Sequence, residues 1–211
     1  MHLHSFTFNP FSENTYILFN DDKQAIIIDP GMYFENEFRQ FDHFITEQGL
    51  EPILLVNTHT HLDHIFGNAH VVRKHQIPLT FHEADRPVFN AAGSAAALYD
   101  LPFEKSPDPN FYTAEGQQIQ LGAISFDIIL TPGHSPGSIC LYHAESNTLI
   151  SGDVLFQMSV GRSDLPGGNT NDLYQSITGK LFSLPDETKV YSGHGPVTTI
   201  GFEKMNNPFV R

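Results

Sequence analysis

One short segment of the chain carries four side chains of the types that bind divalent cations. Residues 58–64 read THTHLDH and contain His59, His61, Asp63 and His64. Side chains two positions apart in an extended segment point to the same side, so His59 and His61 are spaced to bind one ion. Asp63 and His64 follow where the chain is expected to turn into a helix, and they can face a second ion. Four ligand-type residues within six positions favour a metal site over ordinary surface or core histidines.

Three further polar residues occur in a shared context, each just past a β-type run and beside glycine. They are His134 in LTPGHSPGS, Asp153 in ISGDVLF and His194 in VYSGHGP. Glycine permits tight turns and close backbone approach, which suits a ligand presented at a strand end. Imidazole and carboxylate groups without thiolates are typical ligands of zinc, and iron or manganese also accept them. The sequence therefore predicts a centre of two divalent ions, with zinc as the first choice.

The elements that must position these residues alternate between strand-like and helix-like periods. The apolar run 52–57 predicts a strand that leads directly into THTHLDH. A helix is expected over 34–49, another over 62–75, and a third that carries Leu173, Ile177 and Leu181 and ends at Pro185. Residues 84–112 are expected to form a helix and a long loop, which either covers the site or is a solvated connection. The other predicted strands are 3–8, 15–19, 25–29, 79–81, 118–121, 124–130, 139–143, 148–151 and, as the last one, 189–191.

This order of elements predicts an α/β fold in which two sheets pack face to face with helices outside, as one domain over 1–211. Eleven Lys and Arg against 24 Asp and Glu give a net charge of -13, which disfavours nucleic acid and anionic membranes as partners. Cys140 is the only cysteine, so an intramolecular disulfide and thiolate-rich metal sites are excluded. The N-terminus does not resemble a signal peptide, and no apolar run approaches 18 residues. We expect a cytoplasmic protein that acts on a small molecule.

The motifs together carry a family resemblance. T-H-x-H-x-D-H, T-P-G-H-S-P-G, S-G-D and G-H-G-P resemble the metallo-β-lactamase superfamily, and within it the glyoxalase II-like hydrolases (hydroxyacylglutathione hydrolases) and their single-domain relatives. ENTYIL, IIDPG, GRSDLPGG and TTIGFEKMNNPF extend the similarity over almost the whole chain. The resemblance implies a four-layer αββα sandwich of two mixed sheets with outer helices.

The resemblance also implies the roles of the seven residues. His59, His61 and His134 would hold one ion, Asp63, His64 and His194 the other, and Asp153 would bridge both, with Asp63 and Asp153 belonging to the catalytic machinery. A metal-bound water can lose its proton near pH 7, which gives a hydroxide that attacks a thioester carbonyl. The implied substrate is an anionic thioester, for example an S-acylglutathione such as lactoylglutathione.

Several assignments stay open at this stage. Asp29 either orients a ligand or is a turn residue, and Arg162 either binds an anionic substrate or pairs with Asp164. The G-x-S-x-G pattern around Ser135 is rejected as a nucleophile elbow, because Pro136 lacks the backbone N–H that the oxyanion hole needs. Two-domain glyoxalase II enzymes carry a helical C-terminal domain with glutathione contacts, whereas 17 residues follow His194 here. A mononuclear-iron persulfide dioxygenase, a hydrolase of other esters, lactones, lactams or phosphodiesters, and a non-catalytic metal-binding protein are the alternatives.

Overall fold

The fold was obtained as a computed structural model and is described here for residues 1–210; position 211 of the predicted domain lies outside the described residues. The strands are β1 (His2–Phe8), β2 (Glu13–Phe19), β3 (Gln24–Ile28), β4 (Glu51–Val56), β5 (Leu79–His82), β6 (Phe111–Thr113), β7 (Gln118–Leu121), β8 (Ile124–Leu130), β9 (Ile139–His143), β10 (Thr148–Gly152), β11 (Leu155–Phe156), β12 (Ser159–Val160), β13 (Lys189–Ser192) and β14 (Thr198–Thr199). The α-helices are α1 (Glu35–Gln48), α2 (Leu62–Ile65), α3 (Asn68–His75), α4 (Arg86–Leu98), α5 (Thr170–Gln175) and α6 (Ile200–Asn206).

Twelve of these strands form two mixed sheets of six. The first sheet has the order β1-β2-β3-β4-β5-β6, with antiparallel pairing up to β3 and parallel pairing from β3 onward. The second has the order β14-β13-β10-β9-β8-β7, where only β10 and β13 run parallel. β11 and β12 form a separate two-stranded sheet.

Side chains alternate between the two faces of each strand, so the apolar residues pack in three layers. One layer lies between the sheets, and the other two lie on the outer faces of the two sheets. In β3, Ile26 and Ile28 face the second sheet, whereas Ile27 between them faces the helices. The core between the sheets also contains Phe126, Ile139 and Leu141 from the second sheet. α1 and α3 cover the outer face of the first sheet, and α5 and α6 cover that of the second. The predicted four-layer αββα sandwich is thereby confirmed.

Most predicted elements are found within two residues of their expected bounds, but two expectations are wrong: the single helix over 62–75 and the position of the last strand. The helix expected over 62–75 is broken into α2 and α3, because Gly67 donates its backbone N–H to Pro30 O, outside the helix, over 2.6 Å. The helix predicted to carry Leu173, Ile177 and Leu181 is present and ends before Pro185, but it leaves α geometry at Ser176–Lys180, which forms a π-helical turn, and it finishes in a 3-10 turn. Residues 189–191 form a strand, β13, as predicted, but it is not the last one, since the short strand β14 follows it.

Residues 84–112 contain α4 and a loop that leads to β6. The loop packs against the site helices, since Leu101 and Phe103 join the apolar cluster around Phe66, and Asn68 Nδ2 donates to Ser106 Oγ over 2.9 Å. The expected helix and long loop are therefore present. Among residues 1–210, the structure contains no helix with the length and apolar character needed to cross a membrane.

Candidate metal centre

The seven predicted ligand residues come together at one edge of the sandwich, in the loops that follow the strands. β4 leads into the loop and helix that carry His59, His61, Asp63 and His64. The loops after β8, β10 and β13 supply the other three, which are His134, Asp153 and His194. The backbone joins the two sheets at this edge, where Ile139 N–H donates to Thr58 O over 2.8 Å.

Three histidines form the first cluster. His61 Nδ1 lies 2.8 Å from His134 Nε2, and His134 Nε2 lies 3.2 Å from His59 Nε2. One ring nitrogen from each residue lies within 4.8 Å of the other two, which is the arrangement of a possible metal site. We call His59, His61 and His134 the three-histidine cluster.

Two histidines and a carboxylate form the second cluster, which we call the aspartate cluster. Asp63 Oδ2 lies 3.2 Å from His194 Nε2 and 3.7 Å from His64 Nε2. These atoms also lie within 4.8 Å of one another. A single carboxylate and two imidazoles form a harder ligand set than three imidazoles, because carboxylate oxygen is the harder donor.

Asp153 lies between the two clusters. Its Oδ1 is 3.4 Å from His64 Nε2, and its Oδ2 is 3.5 Å from His194 Nε2 and 3.6 Å from His134 Nε2. The neighbouring backbone leaves no room for a further atom, since a Cβ on Gly193 would overlap Asp153 Oδ1 and lie 2.7 Å from His64 Cε1. Glycine in the GHGP motif thus keeps this space open for the carboxylate.

Backbone carbonyls fix which nitrogen several rings present to the site. His134 Nδ1 donates to Arg162 O over 2.7 Å, and His194 Nδ1 donates to Phe11 O over 3.1 Å. A carbonyl can only accept, so both Nδ1 atoms carry hydrogen and Nε2 faces the cluster. His61 differs, because its Nδ1 is the atom that faces His134.

Asp29 connects histidines of both clusters. Its Oδ2 accepts from His64 Nδ1 over 3.1 Å and from the Thr58 hydroxyl over 2.5 Å, while Oδ1 accepts from Thr58 N–H over 2.7 Å. The Thr58 hydroxyl donates its hydrogen to Asp29. Thr58 Oγ1 is therefore the acceptor in the hydrogen bond with His59 Nδ1, which is 3.2 Å away. Of the two interpretations left open by the sequence, the geometry supports the one in which Asp29 orients other residues of the site.

Burial and neighbouring charges set the protonation of these groups. Burial lowers the pKa of His59 well below its usual value and that of His61 to about 4, so both rings are neutral at pH 7. Burial also acts to lower the pKa of His194, but hydrogen bonding to Asp153 raises it to about 9. Burial would raise the pKa of Asp153, yet attraction to His64 and a hydrogen bond with His194 lower it well below its usual value. The neutral rings of His59 and His61 and the ionised carboxylate of Asp153 are in the forms that bind cations, whereas a cation at His194 must displace the proton of its ring.

Two buried atoms point to a cation in this space. His64 Nε2 and Asp153 Oδ1 are both buried and have no hydrogen-bond partner. Leaving such atoms without a partner costs about 1–3 kcal/mol each, and more for a charged group. His64 Nε2 lies 3.4 Å from Asp153 Oδ1 and 3.7 Å from Asp63 Oδ2, so a divalent ion bound among these atoms would satisfy both unpartnered groups. The donor set of imidazoles and carboxylates suits such an ion.

Arg162 and the possible nucleophiles have other partners. Arg162 donates through Nε and Nη2 to the two carboxylate oxygens of Asp164 over 2.8 Å each, and both side chains are more than half exposed. Ser135 is fully buried and its hydroxyl lies 2.8 Å from that of Ser138, so it does not stand on a nucleophile elbow. Cys140 is fully buried, as a small apolar core residue would be.

The sequence did not point to two supports of the site. Asp85 is fully buried and accepts from Thr60 and from Gly137, which lie in the two loops of the three-histidine cluster. Its position just before a helix with proline in the first turn resembles an ordinary helix cap, which gave no functional signal. The tip of the β1-β2 hairpin also supports the site through Phe11 O and through Asn14, whose N–H donates to Gly193 O over 2.7 Å.

Comparison with known proteins places these features in a family. Residues 8–194 match the profile of the metallo-beta-lactamase superfamily. A probable metallo-hydrolase of Bacillus subtilis, YqgX, is 38% identical over 202 residues, which are 95% of this chain and 93% of that protein. The hydroxyacylglutathione hydrolase GloC of Haemophilus influenzae is 36% identical over 203 residues, with 95% and 93% coverage.

Solved structures agree with this assignment. The crystal structure of the BLEG-1 B3 metallo-beta-lactamase has a TM-score of 0.91 with this chain at 36% identity, over 99% of both chains. The crystal structure of TTHA1623 in a di-iron-bound form has a TM-score of 0.88 at 37% identity, over 98% of this chain and 99% of that one. The metal in that structure of TTHA1623 is iron, which imidazole and carboxylate ligands accept as they do zinc. The profile match, the shared fold and the His/Asp clusters lead to one conclusion: the chain belongs to the metallo-beta-lactamase superfamily, as a metallo-hydrolase.

Proposed function

We propose that this chain is a dinuclear metallo-hydrolase that cleaves thioesters of small anionic thiols, with S-acylglutathiones such as lactoylglutathione as the leading substrate class. The observation that carries the proposal is the position of Asp153, which lies within 3.6 Å of ring nitrogens from both clusters. One carboxylate that lies close to histidines of both clusters suits a pair of ions and not a single one. The three-histidine cluster would hold one ion and the aspartate cluster the other, with Asp153 shared.

Bound divalent ions would supply a water of lowered pKa and an electrophile for the substrate carbonyl. The protein's own groups prepare the site for that chemistry. Phe11 O and Arg162 O keep hydrogen on the Nδ1 atoms of His194 and His134, so the Nε2 lone pairs stay directed inward. Asp63 and Asp153 contribute two negative charges, which two divalent cations outweigh, so an anionic substrate is attracted even though the protein is acidic.

Thioester chemistry fits these residues because it needs no separate acid. A thiol has a pKa of about 8.5, so it can leave as a thiolate without proton transfer. The leaving group of an ordinary ester or amide is far more basic and requires protonation. The relative GloC, described as a hydroxyacylglutathione hydrolase, supports the same substrate class. To bind a carboxylate of the substrate, the Arg162 guanidinium would release the Asp164 carboxylate and donate its two hydrogen bonds to the substrate instead.

The experiment that tests this proposal combines metal analysis with a substrate panel. Freshly purified protein is analysed for zinc, iron and manganese and assayed with lactoylglutathione, other thioesters, a lactone and glutathione persulfide with oxygen uptake. We expect two metal equivalents and the highest kcat/KM on thioesters that carry a carboxylate. One equivalent of iron with oxygen consumption on the persulfide would overturn the proposal in favour of a dioxygenase.

Replacement of the shared carboxylate gives a second test. Asp153→Ala removes a group that contacts both clusters, so we expect about a 100-fold loss of kcat/KM and loss of at least one metal equivalent. Asp127→Ala is the matched control, because Asp127 is paired with Gln118 on the surface of the second sheet. An Asp153→Ala protein with full activity and full metal content would overturn the shared role of Asp153, whereas metal binding without turnover of any substrate in the original protein would favour a non-catalytic role.

β-Lactam hydrolysis is a second candidate, favoured by the likeness to the BLEG-1 B3 metallo-beta-lactamase. Its amide leaving group is strongly basic, so it needs a proton that a thiolate does not. A β-lactam in the same substrate panel separates the two candidates. A kcat/KM on the β-lactam above that on every thioester would replace the thioesterase proposal.

A further inference from the structure

One carboxylate outside the two clusters connects the loops that carry the three-histidine cluster. Asp85 Oδ2 accepts from Thr60 N–H over 2.5 Å and from the Thr60 hydroxyl over 2.7 Å, and Oδ1 accepts from Gly137 N–H over 3.0 Å. Thr60 lies between two histidines of the cluster, and Gly137 follows the third by three residues. A single side chain thus contacts the backbone on both sides of the cluster.

The contact between Asp85 and the second of these loops is tight. A Cβ on Gly137 would overlap Asp85 N and lie 2.6 Å from Asp85 Cβ. The glycine therefore allows the loop to approach the turn at Glu83–Asp85 closely enough for the N–H to reach the carboxylate. If the two loops separated, Asp85 could remain with only one of them, so at least one buried donor, on Thr60 or on Gly137, would lose its acceptor, which is unfavourable.

Asp85 also brings a negative charge close to the cluster. Its three partners are all N–H or O–H donors, so both oxygens act as acceptors, as in an ionised carboxylate. Within residues 1–210 no Lys or Arg pairs with Asp85, and the adjacent Arg86 instead lies 2.7 Å from Asp108. The three-histidine cluster contains no carboxylate, so a nearby anion increases its attraction for a cation.

We propose that Asp85 is a positioning residue that sets the geometry and the metal affinity of the three-histidine cluster. It does so by fixing the distance between the loop of His59 and His61 and the loop of His134, and by supplying negative potential. This inference rests on the proposed metal centre. Asp29 differs from Asp85 because it supports both clusters: it accepts a hydrogen bond from His64 directly, and it contacts His59 through the Thr58 hydroxyl. The two aspartates therefore divide the support of the centre, with Asp85 acting on one cluster only.

The test is a Co²⁺ titration of chelator-treated protein, followed by visible absorption, which reports the ligand geometry of each bound ion. A His134→Ala variant identifies the spectral component that belongs to the three-histidine cluster. In Asp85→Asn the amide nitrogen replaces an acceptor, so one donor of Thr60 or Gly137 loses its partner. We expect this component to bind Co²⁺ about 10–100-fold more weakly and with an altered spectrum, while the other component keeps its affinity.

The matched control is Glu203→Gln. Glu203 is also fully buried and also accepts three hydrogen bonds, from the Thr198 hydroxyl, from Met158 N–H and from the Asn207 amide. This replacement should lower the midpoint of thermal unfolding as Asp85→Asn does, yet leave both Co²⁺ components as in the original protein. The comparison separates positioning of the metal site from general destabilisation.

The outcomes distinguish this inference from the proposed function. If the unmodified protein binds no Co²⁺, the metal centre itself is wrong. If it binds Co²⁺ in both components and Asp85→Asn is unchanged, or if Glu203→Gln weakens binding equally, only the role of Asp85 is overturned. Should Asp85→Asn fail to fold, Thr60→Val takes its place, because it deletes one donor and keeps the carboxylate. It should weaken the same component by a smaller factor, and unchanged binding in Thr60→Val would overturn the role of Asp85.

Discussion

Oδ2 of Asp29 accepts a hydrogen bond from Nδ1 of His64 over 3.1 Å, and the opposite nitrogen of that ring is directed toward Asp153. The same oxygen accepts from the Thr58 hydroxyl, which in turn lies 3.2 Å from His59 Nδ1. A residue that follows β3 therefore aligns one ring of each cluster. A hydrogen-bond acceptor behind a metal-binding ring fixes the tautomer and orientation of that ring. Loss of the acceptor therefore lowers the affinity for the metal.

Asp29→Ala should weaken metal binding at both clusters by about 10–100-fold. It should also reduce the free energy of unfolding by roughly 1–3 kcal/mol for each buried Thr58 donor that loses its acceptor. Metal content after dialysis and urea unfolding measure the two effects. A surface replacement, Asp127→Ala, should change stability by less than about 0.5 kcal/mol and leave metal content intact. Full metal retention in Asp29→Ala would contradict the assigned role.

Gly193→Ala should exclude the ion of the aspartate cluster without unfolding the protein. The new methyl group would overlap Asp153 Oδ1 and press on the His64 ring, so the carboxylate must move away from the site. We expect one metal equivalent to be lost and kcat to fall by about 100-fold or more. Gly93→Ala in α4 is the control, since a Cβ there meets nothing within 4 Å and alanine favours helix by about 0.5–1 kcal/mol. Normal activity in Gly193→Ala would show that the space is not needed.

Arg162→Ala should raise KM about 10-fold or more for thioesters that carry a carboxylate and leave kcat unchanged, because a charge-assisted hydrogen bond contributes about 1.5–3 kcal/mol. A neutral acetylated thiol serves as the control substrate and should show no change. Asp164→Asn should have the opposite effect, because it releases the guanidinium from its present partner. An equal loss on charged and neutral substrates would exclude the proposed contact.

Cys140 should not react with thiol reagents in the folded protein. Burial raises the pKa of its thiol to about 12, so almost no thiolate is present at pH 8. We expect no colour with Ellman's reagent under native conditions and one equivalent in guanidinium chloride, since the chain has one cysteine. Rapid native labelling with loss of activity would show that the thiol is accessible.

The sequence predicts those parts of the fold that depend on local pattern. Residues 25–29 are predicted as a strand, and in the structure Ile27 lies on one face of this strand while Ile26 and Ile28 lie on the other. The ligand residues could be predicted for the same reason, because each lies beside glycine or within one dense segment directly after a strand. The position of each candidate ligand relative to a strand end and a glycine is thus what allows its prediction from the sequence.

What the sequence does not indicate depends on partners that are distant in the chain. The break between α2 and α3 follows from the hydrogen bond of Gly67 to Pro30 O, 37 residues earlier. Asp85 contacts Thr60 and Gly137, which are 25 residues before it and 52 residues after it. Its sequence context is that of a helix cap, so only the tertiary structure distinguishes it from one. β14 has two residues, too few for a periodic pattern.

The hairpin tip at Phe11 has a consequence for how the molecule forms. His194 Nδ1 donates to Phe11 O across 183 positions, and the Tyr16 hydroxyl donates to Ser192 O across 176. Contacts between such distant positions form slowly, because a long loop must close before they contribute. The full set of candidate ligands therefore comes together only after these long loops have closed, which places the assembly of the candidate metal centre late in folding.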